Sequence, residues 1–193
     1  LPRYRGRVPI NWVLLSGEKK TGVTLHYMTT RPDDGDMVSQ KSMEISEDDT
    51  AVSLHKKAAA AAGEMLNEIL PALQAGEAPR MPQDHGKASY YGGRTPADGE
   101  IDWVMPASGV RNLVRAVTRP FPGAFSHMGD RKCLFWTVSE VSREEGAKPG
   151  MVLSVDPLVI ACETGAIRVD AAQQAGDVFM GGAQLASHMG LVE

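Results

Sequence analysis

"TGVTLHYMTTRPDDGDMVSQKSMEI", residues 21–45, sets two strand-like runs on either side of a polar tip. In the first run Val23, Leu25 and Tyr27 alternate with Thr24, His26 and Met28, the period of a half-buried strand. "MVSQKSMEI" reads as the second strand. Between them, Pro32 and Gly35 punctuate "RPDDGD" as a turn. The stretch is therefore a β-hairpin with a long tip. That tip gathers Asp33, Asp34 and Asp36 around Gly35. Carboxylates so close repel one another, so something must compensate: bulk solvent, a metal ion or a catalytic task.

The metal reading fits poorly. A calcium loop spaces its acids over twelve residues and closes on a Glu, whereas "DDGDMVSQKSME" has its acids misplaced and turns directly into a strand. No metal site is expected. Two readings remain: a solvated hairpin tip, or one Asp that raises the pKa of a histidine in an acid–base site. Composition does not choose between them.

On the N-terminal side, "RGRVPINWVLLSGE" reads as a loop entering a short helix, with Pro9 in its first turn and its end near Gly17. On the other side, "SEDDTAVSLHKKAAAAAGEMLNEILPALQAG" is a long helix. Ser46 or Asp49 is its expected N-cap, and acids crowd its start, where the helix dipole favours them. Leu54, Ala58, Ala61, Met65, Ile69 and Leu73 fall on one face, and Pro71 and Gly76 mark the fraying end.

Residues 77–100 are rich in Pro, Gly and polar side chains and read as a linker or extended binding loop. "PASGVRNLVRAVTRPFPG" is a short helix stopped by Pro120. Five strand-like runs follow, "GAFSHM", "KCLFWTVSEV", "GMVLSVD", "LVIACE" and "AIRVDAAQ". Their regular spacing suggests a small β-barrel, with Trp103 and Trp136 as core anchors. "GGAQLASHMG" closes as a helical turn. The expected order is an α/β unit over 1–84, a linker or substrate loop over 85–100, and a β-rich unit over 101–193.

The 193 residues allow one large domain or two small ones. With 42% hydrophobic and 23% charged residues, a packed core is within reach. The net charge of −4 argues against a nucleic-acid partner, because binding to phosphates usually needs a basic excess. Cys133 and Cys162 each lie in apolar runs and read as buried reduced thiols, which fits a cytoplasmic chain. The longest apolar runs are too short to span a bilayer. The chain opens on "LPRYRGRVPINW", without leader-like character, and reads as a fragment whose N-terminal part is missing.

The order "LPRYRG", "RVPINW", a helix, "TGVTLHYM" and the acidic turn resembles the folate-dependent formyltransferases. "ASYYGGRTPADGEIDW" (88–103) is similar to their join between catalytic and C-terminal units. "LVRAVTRPFPGAFS" (113–126) is similar to the entry of their small barrel. The resemblance covers essentially the whole chain. It implies the C-terminal part of a Rossmann-like α/β domain followed by an open, OB-like barrel. Within the family, "RGRVPINWVL", "GVTLHYM" and "RPFPGAF" look closest to the formyltransferase domain of the UDP-4-amino-4-deoxy-L-arabinose (lipid A modification) enzymes. Methionyl-tRNA formyltransferases more often carry Ala-Pro-Ile-Gln where this chain has Val8-Pro9-Ile10-Asn11.

The resemblance implies transfer of a formyl group from 10-formyltetrahydrofolate to the amine of a UDP-amino-sugar, without a metal. Asp33 matches the family's catalytic acid, whose carboxylate keeps a histidine cationic to steady the developing oxyanion. The family's Asn and His fall before Leu1, and His26 is expected to be structural. Arg7 matches a cofactor contact, and Thr29, Thr30, Arg31, Pro32 and Asp33 match the loop lining the folate pocket. Arg94 is a candidate for a sugar-nucleotide diphosphate, and Tyr90 or Tyr91 for stacking on uracil. Ordinary linker packing is an equal reading for these three, and a surface arginine is the plain reading of Arg7. Two alternatives stand beside the lead: a methionyl-tRNA enzyme, or a non-catalytic fragment that binds nucleotide alone. The arabinose enzymes often continue into an NAD-dependent decarboxylase domain, and the resemblance leaves room for an oligomer.

Overall fold

The computed structural model describes residues 1–143, 146–176 and 178–191. They form two compact units, one of residues 1–13 and 18–94, the other of residues 14–17 and 95–191.

The first unit is built on a hairpin. Strand β1 (Arg5–Gly6) leads into helix α1 (Pro9–Leu15), then β2 (Lys20–His26) and β3 (Met37–Glu44), which pair antiparallel from Lys20 opposite Glu44 to Leu25 opposite Ser39. The last pair is His26 with Met37, so the register slips by one residue at the tip end of the hairpin. Such a bulge bends the strand and re-aims the side chains beside it. The slip puts the irregularity next to the acidic turn.

Helix α2 (Ala51–Ala75) packs on β2 and β3. It buries Ala51, Leu54, Ala61 and Met65, while Val38 and Ile45 are buried on the hairpin side. Ala58, Ile69 and Leu73 are only half-buried. The N-cap is Thr50, not Ser46 or Asp49. Thr50 accepts from the Ser53 amide and the Ser53 hydroxyl accepts from the Thr50 amide, a reciprocal capping box. Asp49 is engaged otherwise. Its carboxylate accepts from the Ser46 amide, the Ser53 hydroxyl and Lys57. The helix runs through Pro71 and ends at Gly76, whose φ of 76° lets the chain leave in a left-handed turn.

The segment after α2 is tied down by backbone pairing. Met81 bridges Met37 through two backbone hydrogen bonds. One 3-10 turn spans His85–Lys87, and strand β4 (Tyr90–Tyr91) pairs parallel with β1, Arg5 opposite Tyr90. Gly6 has no alternative here: its φ is 101°, and a Cβ would stand 2.4 Å from the Tyr91 carbonyl oxygen.

The second unit starts with a 3-10 turn at Pro96–Gly99 and helix α3 (Ala107–Val117). Five strands follow: β5 (Ala124–Met128), β6 (Arg131–Val141), β7 (Val152–Val155), β8 (Leu158–Ala161) and β9 (Ala166–Gln174). They form one antiparallel sheet in the order β5-β6-β9-β8-β7. The long β6 carries two register irregularities between Phe135 and Val138, which let it bend. Its edge strands β5 and β7 border a common cavity of about 360 Å³, so the sheet curls into a half-barrel. Helix α3 packs on β6 and β9, and α4 (Gly182–His188) on β7, β8 and β9. Phe135 and Cys133 are fully buried and Trp136 nearly so, while Trp103 meets Phe135 edge-on at 6.0 Å. Cys133 and Cys162 are buried and free. No helix among the described residues is long and apolar enough to cross a membrane.

Candidate active site

The acidic turn lies in the first unit, at the rim of a cleft of about 440 Å³ whose lining includes Ile10, Val13, Thr24, His26 and Asp33. Asp33 has φ of 58°, a left-handed conformation that Asp tolerates better than most residues. The twist presents its carboxylate to β1 and β2 together. The Gly6 amide donates to Oδ2 at 2.9 Å, and His26 Nε2 faces Oδ1 at 3.8 Å. Both side chains are partly exposed, 33% for Asp33 and 21% for His26, so the pair opens to solvent at the cleft.

The other two acids have separate partners. Asp34 accepts from Nη1 of Arg5 at 3.0 Å, and Arg5 is only 1% exposed. Asp36 braces the turn: its carbonyl accepts from the Tyr27 amide at 2.9 Å, and its carboxylate lies 3.7 Å from Arg80. The repulsion implied by three neighbouring carboxylates is thus relieved by distributing them to three directions. Gly35 fits where no other residue does, since a Cβ would stand 1.8 Å from the Tyr27 carbonyl oxygen.

Of the remaining candidates, Thr29, Thr30, Arg31 and Pro32 form the exposed approach to Asp33 and do not line this cleft. Thr29 shapes that approach: its hydroxyl donates to the Arg31 carbonyl at 2.9 Å. Arg7 is exposed and lies along Gly93, with its amide donating to Tyr91. The structure separates the two tyrosines. Tyr91 stacks its ring on Tyr4 at 4.9 Å and makes a tilted contact with Trp12 at 5.1 Å, so its faces are occupied. Tyr90 is 65% exposed, its hydroxyl anchored by Arg5. Arg94 lies over the Trp12 ring at 5.0 Å.

Two contributors escape a reading of sequence alone. His26 becomes a neighbour of Asp33 through the folding of the hairpin and its tip, which no local pattern records. Gln83, 5% exposed, sits in a stretch that looks like linker, yet it hydrogen-bonds the backbone of the acidic turn. Its one signal is a lone amide amid prolines and charged residues, which is too common to identify it. Among the described residues no group of His, Cys, Asp and Glu is arranged to hold a metal ion.

Residues 1–70 match the family model described as "Formyl transferase", and residues 94–189 match "Formyl transferase, C-terminal domain". The fold is similar to HypX from Aquifex aeolicus, solved in complex with tetrahydrofolic acid, at 20% identity and a TM-score of 0.70 over 96% of this chain and 33% of that one. It is similar to the N-formyltransferase from Helicobacter canadensis, solved with folinic acid and dTDP-3-aminofucose, at 17% identity and a TM-score of 0.73, covering 90% of this chain and 63% of that one. A methionyl-tRNA formyltransferase from Clostridium thermocellum matches at 22% identity and a TM-score of 0.57, covering 76% and 61%. The chain thus spans about a third of the HypX chain and under two thirds of the other two.

Proposed function

Since the chain belongs to the formyl transferase family, we propose that it carries part of an enzyme that moves a formyl group from 10-formyltetrahydrofolate to the amine of a UDP-4-amino-sugar, with UDP-4-amino-4-deoxy-L-arabinose as the lead acceptor. Residues 1–84 are read as the C-terminal part of a Rossmann-like catalytic domain, 85–100 as a substrate loop and 101–193 as an OB-like subdomain. The activity is placed in the cytoplasm.

The observation that carries this reading is the Asp33 carboxylate, fixed at a cleft by the Gly6 amide and facing an imidazole. The amine attacks the formyl carbon, a tetrahedral oxyanion develops, and the bond from that carbon to the folate nitrogen breaks as a proton returns to it. A carboxylate beside a histidine favours the cationic ring, a donor to that oxyanion. Asp33 takes this role toward the histidine that the family places before Leu1. Its second oxygen faces His26, which ties the acid to β2. The exposed backbone of 29–32 and the Arg7 side chain, which do not line the cleft itself, are assigned to the part of the folate that extends beyond it.

The cleft suits the donor. Ile10 and Val13 offer an apolar wall, and Thr24 and Asp33 offer polar groups, the mixture that a flat heterocycle with a polar edge requires. On the acceptor side, Tyr90 is the better stacking candidate, because Tyr91 is already packed between rings. Arg94 is assigned to the diphosphate. A dTDP-amino-sugar bound by the Helicobacter relative supports a nucleotide-sugar acceptor in general terms.

The test uses the natural full-length protein with 10-formyltetrahydrofolate and a UDP-4-amino-sugar, reading the acceptor's mass. Gain of one formyl group, lost with Asp33→Asn, is the expected result. Formylation of methionyl-tRNA instead, falling steeply with salt, would move the acceptor to nucleic acid. No transfer to either acceptor would overturn the reading.

A further inference from the structure

We infer that Arg5 and Gln83 form a relay that positions Asp33, so that both act as positioning residues for the site without touching the reacting groups. The inference rests on the reading of Asp33 as the site's acid. It starts from two nearly buried polar side chains, Arg5 at 1% and Gln83 at 5% exposure. Burying such groups is costly unless they are hydrogen-bonded, and here both Arg5 Nη atoms and both Gln83 amide atoms are.

Their hydrogen bonds run in one direction. Arg5 Nη2 donates to Gln83 Oε1 at 2.6 Å, and Nη1 donates to Asp34 at 3.0 Å and to the Tyr90 hydroxyl at 2.6 Å. Gln83 Nε2 then donates to the carbonyl of Asp33 at 3.0 Å and to that of Gly35 at 2.7 Å. A guanidinium only donates and a carbonyl only accepts, so the Gln83 amide has a single orientation: oxygen to Arg5, nitrogen to the turn. A flipped amide would oppose donor to donor and acceptor to acceptor at once.

The relay meets the acid from both sides. Gln83 holds the Asp33 main chain, in its left-handed conformation, while Gly6, next to Arg5 in β1, holds its carboxylate. Arg5 also holds the adjoining Asp34. The turn is therefore set by two consecutive residues of β1 and by a glutamine 78 positions beyond Arg5. Without Gln83, the carbonyls of Asp33 and Gly35 lose this donor, and the turn can swing its carboxylate away from Gly6. Errors of this kind in the placement of a reacting group cost about 10²-fold per ångström.

The Gly6 amide reports the position of the carboxylate directly. Arg5–Gly6 is the single Arg–Gly pair in residues 1–193, so labelling arginine carbonyls with 13C and glycine amides with 15N isolates its resonance. In folded Gln83→Met the Gly6 amide proton is expected to move upfield as its bond to Asp33 weakens. Formyl transfer should lose about 10- to 100-fold in kcat with little change in the donor's KM. Arg5→Lys should give the same signature, and the double variant should lose hardly more than either alone, as members of one relay do. A folded Gln83→Met with an unmoved Gly6 resonance would overturn the inference, as would additive losses in the double variant. If Gln83→Met does not fold, Asp34→Asn at its partly exposed site releases Arg5's charged anchor, and an unmoved resonance there would be equally fatal. A wild-type protein without formyl transfer would sink the proposed function alone, because the resonance still decides the relay.

Discussion

His26 and Asp33 meet because His26 Nδ1 lies 2.9 Å from the carbonyl of Tyr27, which turns Nε2 toward Asp33 Oδ1 at 3.8 Å. A carbonyl only accepts, so Nδ1 carries the donated proton and Nε2 is the nitrogen that faces the carboxylate. The Gly6 amide holds the Asp33 carboxylate in place, and its charge can be removed without removing its shape.

Asp33→Asn does this. The amide oxygen still accepts from Gly6, so the variant should fold with an unfolding midpoint close to the wild type. Formyl transfer by the full-length protein should fall by about 10² or more, the range for a lost acid–base partner. Equal activity in the two proteins would remove Asp33 from the chemistry.

Gly35→Ala tests the turn sterically. Its Cβ would overlap the Tyr27 carbonyl, a backbone atom that cannot rotate aside. A loss of about 3 kcal/mol in urea unfolding is expected. At Gly63, within α2, a Cβ would meet nothing within 4 Å, and Gly63→Ala should stabilise by about 0.5–1 kcal/mol through helix propensity.

These two glycines also show what the sequence could tell. Strand alternation, helix period and turn residues made the hairpin, α2, α3 and all five strands of the second unit readable, because each follows from local chemistry. The acid cluster was readable too, and so was the resemblance that singles out Asp33. The expected caps, Ser46 and Asp49, fall four residues and one residue before the observed Thr50, because all three suit a cap and the reciprocal bonds with Ser53 single out Thr50. Gln83, Arg5 and the pairing of β1 with β4 were not readable. Their partners lie 29 to 85 positions away, and no local pattern records such distances.

Acid should expose Asp49. Burial pushes its carboxyl up, but hydrogen bonds from Lys57, Ser53 and Ser46 outweigh this and hold it at about 2, against 3.8 for an ordinary Asp. The folded form thus binds this proton less readily than the unfolded chain. Its stabilisation is complete above about pH 4 and is lost as pH falls toward 2. Allowing for screening at the half-exposed Lys57, the contribution is on the order of 1–2 kcal/mol. In Asp49→Asn, unfolding free energy should fall at pH 7 by about this amount, and the difference from wild type should shrink at pH 2.

Cys162 should resist alkylation. Burial pushes its thiol up to about 11, with the nearby Arg143 only partly offsetting this. Cys133 is raised in the same direction by burial. In native buffer at pH 8 neither should react with iodoacetamide on a timescale of minutes, and both should react in denaturant. Rapid labelling of Cys162 in the folded protein would contradict its burial.

The pairing of Arg5 with Tyr90 has a kinetic consequence. It closes a loop of 85 residues, while the hairpin and α2 inside that loop form from near neighbours. Closing so long a loop costs about 4 kcal/mol of chain entropy, which only the finished contacts repay. The hairpin and α2 can nucleate early, and β1 with β4 zips afterwards, so the segment that fixes the acid is the last to be tied down. Substitutions at Arg5 or Gln83 should then speed unfolding while leaving the folding rate nearly unchanged, the mark of contacts absent from the transition state.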